Sequence, residues 1–150
     1  MQIDVVFFDL GDTLVVSGHS PRWVPGAEAL LTTLRDAGLQ LGVISNTGNL
    51  SRDQLAPLLP HGFDFAVFDA DLVVLSSEIG NVEKPDPRIF DEAVQRAGVA
   101  ASRCLFCTES LTDTLAAQGA GMKAARLVDA VHGVDLAALP DALEAARLLS

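Results

Sequence analysis

The stretch Val5-Val6-Phe7-Phe8-Asp9-Leu10-Gly11-Asp12-Thr13-Leu14 constrains this chain more than any other. Four apolar residues run straight into an aspartate, and Gly11 and Asp12 then break the run. A short continuous apolar run bounded by turn residues predicts a strand buried on both faces, the character of a central strand in a parallel sheet. Asp9 then sits at the strand's carboxyl end, where open α/β sheets bind their ligands. An aspartate there serves either a turn or chemistry, and this stretch alone slightly favours the turn.

The rest of the chain alternates in kind. Residues 15–24 read as a short irregular link. Pro25-Gly26 opens a helix to about Ala37, with Ala27, Leu30, Leu31, Leu34 and Ala37 on one face and Gly38 ending it. Strands are predicted over residues 39–45, 71–77, 104–108 and 124–128. Helices are predicted over 51–59, 87–97 and 111–118, with a last one from Pro140 to the C-terminus. This alternation predicts one α/β domain over residues 1–150. It is doubly wound, with a mainly parallel five-stranded sheet and helices on both faces.

Composition narrows the partners. The formal net charge is −10, which argues against nucleic acid and anionic membranes, since both call for a basic surface. No apolar run approaches the roughly 20 residues that span a bilayer. MQIDVVFF has neither a basic n-region nor a small-residue cleavage site, so no signal peptide is expected. Cys104 and Cys107 fit a reducing, cytoplasmic setting. Their CxxC spacing suggests redox or zinc chemistry, but within a strand residues three apart face opposite ways. Two buried strand cysteines are the expectation.

Polar residues collect at strand ends. Asp9 ends the first strand, Ser45 the second and Glu109 the fourth, with Asp113 four residues later and Lys84 in the loop after the third. All five belong on the carboxyl edge of the sheet. Three carboxylates in one crevice repel each other and invite a hard cation such as Mg²⁺. A hydroxyl and a lysine nearby suit an anion held against it.

FDLGDTL, VISNT, EKPDPRIF and CTESLTDTLAAQGAGM resemble, in order, the four motifs of the haloacid dehalogenase-like hydrolase superfamily. The resemblance covers nearly the whole chain. It implies a Rossmann-like fold and a Mg²⁺-dependent phosphatase. It implies Asp9 as nucleophile forming an aspartyl-phosphate, Ser45 and Asn46 as phosphate-binding residues, and Lys84 as the cation beside both. It further implies Asp9, the Gly11 carbonyl, Glu109 and Asp113 around the metal, and Thr13 closing the first motif. The superfamily's cap domains enter at two points, here residues 15–24 and the span from Ser45 to Lys84. Neither is long enough, so a capless member is expected, its open site suited to bulky phosphorylated substrates or covered by a second copy of the chain. Ser17, His19, Arg22 and Trp23 would line that rim, with Trp23 packing the loop onto the core.

Three positions depart from the superfamily's pattern. Gly11 stands where an aspartate usually protonates the leaving group, and glycine keeps the carbonyl but donates no proton. Asp12 and His19 are read as turn and loop residues rather than replacement acids. Thr108-Glu109 stands where Gly-Asp is usual. The longer Glu109 moves its carboxylate by about one bond length, which works against direct ligation of a strictly octahedral ion and leaves a contact through water as the alternative. Gly11 favours activated phosphates, such as aryl or acyl phosphates, whose leaving groups need little protonation. The departures also define the rivals: a non-catalytic phosphate- or protein-binding relative, and a 2-haloacid dehalogenase, which shares the nucleophile.

Overall fold

The computed structural model describes residues 2–128, 136–146 and 148. β1 (Val5–Phe8) is the middle strand of a five-stranded sheet. β4 (Gln40–Ser45) and β5 (Val73–Leu75) lie on one side of it. β6 (Cys104–Thr108) and β7 (Lys123–Arg126) lie on the other. All four pairings are parallel, with Phe8 level with Val43 and with Cys107. The predicted sheet is present.

Alternation along β1 divides the core. Val6 and Phe8 face the side covered by α1 (Ala27–Asp36) and α5 (Leu139–Ala145). Val5 and Phe7 face the side covered by α3 (Pro87–Ala97) and α4 (Leu111–Gly119). All four β1 side chains are fully buried, which is why the strand reads as an unbroken apolar run rather than an alternating one. Cys104 lies in the second of these clusters and Cys107 in the first, so the two thiols are separated by the sheet. Burial pushes Cys104 up to about 11 and raises Cys107 further. These are the two buried strand cysteines expected.

Two elements differ from expectation. Residues 15–24 are no irregular link: β2 (Val15–Val16) and β3 (Arg22–Trp23) form an antiparallel hairpin, Val15 facing Trp23. Its strands are two residues long, too short for a period-2 pattern to register. The third sheet strand keeps only Val73–Leu75 of the expected 71–77. Single 3₁₀ turns replace its ends, over Ala70–Leu72 and Ser76–Glu78. The Ser76 and Ser77 hydroxyls bond Thr47 instead of extending a ladder, and such side-chain bonds compete with strand geometry.

Lesser adjustments follow the same lines. The helix expected over 51–59 divides into α2 (Arg52–Leu55), capped reciprocally by Ser51 and Gln54, and a 3₁₀ turn Ala56–Leu58 around Pro57. The last strand is Lys123–Arg126 rather than 124–128. α5 starts with Pro140 in its first turn as expected. Residues 147, 149 and 150 of its expected continuation lie outside the described residues. Among the described residues no helix is long and apolar enough to cross a membrane.

Candidate active site

The strands are parallel and run the same way, so the loops after β1, β4, β5 and β6 share one edge. The chain leaves β1 at Asp9 and folds into a tight loop in which Thr13, Leu14 and Val15 donate their N–H groups to the Leu10 carbonyl. Asp12 takes a left-handed φ of 61° there, a conformation that aspartate tolerates better than most residues. Thr13 is buried, and its hydroxyl accepts the Glu109 N–H at 3.2 Å. The first motif and the end of β6 are thereby tied together.

Lys84 is the hub. Its ammonium lies 2.8 Å from Asp9 Oδ1 and 3.5 Å from Asp113 Oδ2, with its side chain only 2% exposed. It also sits over the Phe106 ring, 5.3 Å from the centroid. Asn46 fixes Lys84 from behind: its Oδ1 accepts the Lys84 N–H at 2.7 Å and its Nδ2 donates to the Lys84 carbonyl at 3.0 Å. The peptide bond that follows, Lys84–Pro85, is cis. Asp113 is placed by α4, whose cap residue Ser110 accepts the Asp113 N–H at 3.2 Å. Ser45 ends β4, buried, at the mouth of an adjoining pocket that Gly11 and Asn46 also line.

Asp9, Lys84 and Asp113 thus meet, with Ser45, Gly11 and Asn46 around an adjoining opening. Asn46, expected to bind phosphate, also holds the Lys84 backbone, which leaves one amide hydrogen for a ligand. Of the rim residues, Ser17 lines the pocket. Trp23 stacks on Phe63 with ring centroids 5.3 Å apart, the packing role expected of it. His19 is exposed.

One contact at the site escaped sequence reasoning, which noted Thr108 only as a departure from the superfamily's pattern. Thr108, fully buried, donates its hydroxyl to Asp9 Oδ2 at 3.3 Å and accepts the Ser110 N–H at 3.1 Å. Both oxygens of Asp9 are therefore engaged, one by an ammonium and one by a hydroxyl. Its position next to Glu109 at the end of β6 was the available signal, but a threonine closing a buried strand does not reveal where its hydroxyl points.

The electrostatics are those of a site short of positive charge. Burial raises the Asp9 carboxyl above the usual range and Asp113 adds to this, while Lys84 and Thr108 oppose it. Burial also raises Glu109, followed by the charges of Asp9, Asp12 and Asp113. One lysine faces a crowd of hard oxygen donors, which fits a hard divalent cation. Among the described residues no three carboxylate, imidazole or thiol groups form a ready ligand shell. That is compatible with an ion commonly bound by one or two carboxylates, with water and substrate oxygens completing the shell.

Comparison with known proteins bears on the family and the fold. The family model for haloacid dehalogenase-like hydrolase matches residues 20–121. That span starts beyond Asp9 and Thr13, whose place in the site rests on the geometry above. The mouse haloacid dehalogenase-like hydrolase domain-containing protein 3 is 41% identical over 118 residues, 75% of this chain and 44% of that protein. A glyceraldehyde 3-phosphate phosphatase of Methanothermobacter thermautotrophicus is 37% identical over 105 residues, 69% of this chain and 43% of the enzyme. The chain spans less than half the length of either relative. The crystal structure of a HAD family hydrolase from Deinococcus radiodurans, with bound phosphate and sodium, matches with a TM-score of 0.77 at 19% identity, over 99% of this chain and 98% of that one. This chain belongs to the haloacid dehalogenase-like hydrolase family.

Proposed function

We propose that the chain is a capless Mg²⁺-dependent phosphatase that passes a phosphoryl group through Asp9 to water. The observation that carries this reading is the contact of Lys84 with both Asp9 and Asp113 at the carboxyl edge of the sheet. A carboxylate approaches a phosphoryl dianion only where fixed positive charge offsets the repulsion. Lys84, buried and held through its backbone by Asn46, supplies such charge without rearrangement.

An Asp9 oxygen attacks phosphorus and the bond to the leaving oxygen breaks, that oxygen departing with its electron pair. The Ser45 hydroxyl donates to a phosphoryl oxygen while Lys84 neutralises both partners. Water then attacks phosphorus, and the bond to Asp9 breaks to give inorganic phosphate and the free carboxylate. Mg²⁺, held by Asp9, the Gly11 carbonyl and Asp113, with Glu109 directly or through water, would supply charge neutralisation and orientation of the phosphoryl group. Gly11 gives the leaving oxygen no proton, so stable leaving anions are favoured.

Hydrolysis of p-nitrophenyl phosphate with added Mg²⁺ tests this reading. The expected outcome is turnover that chelator abolishes and that Asp9→Asn lowers by at least about a thousandfold, the scale of loss when a catalytic unit is broken. Undiminished turnover in Asp9→Asn refutes it. Halide release from a 2-haloacid without metal would install the dehalogenase reading instead.

A further inference from the structure

Beside the phosphoryl site opens a pocket of about 370 Å³. Leu10 and Val15 from the first loop and hairpin form one wall; Leu50, Leu55, Leu58 and Leu59, on and around α2, form the other. Gly11, Ser45 and Asn46 also line it, which joins it to the neighbouring site. Among the described residues no charged side chain lines it. Leu58 remains 37% exposed there, so apolar surface stands open next to a charged centre. Gly11 adds to the space: a Cβ built on it would meet nothing within 4 Å. Of the hydroxyls present, Thr47 is already bonded to Ser76 and Ser77, and Ser17 and Ser45 complete the set.

We infer that this pocket is a leaving-group subsite for a compact apolar moiety, so that the substrate is a phosphomonoester of a small aryl or short aliphatic group. The inference deepens the phosphatase reading and rests on it. With the phosphoryl group between Ser45 and Lys84, the ester oxygen faces Gly11 and whatever it carries enters the leucine-walled space. A polyol or a second phosphate would leave its water there with few partners in return. An apolar group would gain by burial. The volume stands near the lower end for ligand pockets, roughly 300–1,000 Å³, which sets the group's size.

Simple n-alkyl phosphates test this, because beyond the first members lengthening the chain scarcely changes the leaving group's acidity. For the intact protein with Mg²⁺, kcat/KM is expected to rise by about fourfold per methylene, then level off once the pocket is filled. In Leu58→Gln, a change at a half-open position, the ratio of pentyl to ethyl phosphate should collapse towards one. In parallel, calorimetric binding of n-alkylphosphonates, which cannot be hydrolysed, should tighten with chain length by a similar factor. Turnover without chain-length dependence overturns the subsite and leaves the phosphatase standing. Should p-nitrophenyl phosphate alone turn over, as Gly11 favours, the phosphonate trend decides the subsite. Length-dependent phosphonate binding without turnover of the alkyl esters or of p-nitrophenyl phosphate supports the subsite and overturns the phosphatase. Neither a binding trend nor turnover of any of these esters overturns both.

Discussion

A single hydroxyl decides how Asp9 is presented. Thr108 stands where the resemblance leads one to expect glycine, and its Oγ1 donates to Asp9 Oδ2 at 3.3 Å. Lys84 holds the other oxygen at 2.8 Å. With both oxygens tied, the carboxylate plane is fixed before any ligand arrives, which suits a group that must attack along one line. Thr108 is therefore a positioning residue. Thr108→Val keeps its shape and removes the hydroxyl, which also frees the Ser110 N–H. A hydrogen bond to a charged group is worth about 1.5–3 kcal/mol, so kcat on p-nitrophenyl phosphate should fall by about tenfold or more with KM little moved. Thr108→Ser should recover most of the loss. A valine variant with the kcat of the unaltered protein would show that the hydroxyl serves only the loop.

At the level of elements, β4 shows what a strand between two others demands. Gly42 lies in the middle of it, where glycine costs about 0.5–1 kcal/mol against alanine in backbone freedom. A Cβ there would sit 2.6 Å from the Leu72 carbonyl oxygen and 2.6 Å from the Phe7 ring. The Leu72 carbonyl is backbone and cannot swing away. Gly42→Ala should therefore destabilise by about 1–3 kcal/mol, read as a lowered urea midpoint with an unchanged m-value; an unchanged midpoint would show that the Ala70–Leu72 turn and Phe7 can yield. Such crowding also marks where the sequence was legible. The apolar runs of β1, β4 and β6 and the one-sided helices α1 and α3 were plain from residue order, because burial writes itself into periodicity. Asp9, Lys84 and Asp113 were legible too, since parallel topology gathers strand ends. The hairpin β2–β3 was not, because two-residue strands carry no period. Nor was the leucine-walled pocket, whose residues come from segments 40 or so positions apart and meet only through the fold. The same holds for the Thr108 hydroxyl, whose direction is set by a rotamer rather than by a pattern.

For the molecule as a whole, the two edges of the sheet carry opposite electrostatic burdens. At the carboxyl edge, Asp9 and Glu109 are raised, first by burial and then by neighbouring carboxylates, so ionising them opposes folding. At the amino edge, Asp4 is paired with Arg103, which donates from Nη2 to Asp4 Oδ1 at 2.8 Å and from Nε to Oδ2. The same two residues are joined through their backbones, Asp4 N–H to the Arg103 carbonyl at 2.9 Å, locking β1 to β6 at their starts. The guanidinium's hydrogen bonds hold the Asp4 carboxyl below its usual 3.8. A carboxyl lowered in the folded state contributes stability above its unfolded value, and that contribution disappears as pH falls through the folded value. Arg103→Gln should therefore be less stable than the unaltered protein at pH 7, with the gap closing as pH drops below about 3.8. The pair is half-exposed, so added salt should narrow the gap at pH 7 as well. Urea midpoints at pH 7 and near pH 3, each at low and high salt, measure all of this. A gap that stays constant across pH and salt would mean that Arg103 acts through the packing of its stem rather than its charge. Acid would then weaken this protein through other pairs, such as Arg52 with Glu78, whose carboxyl is likewise lowered.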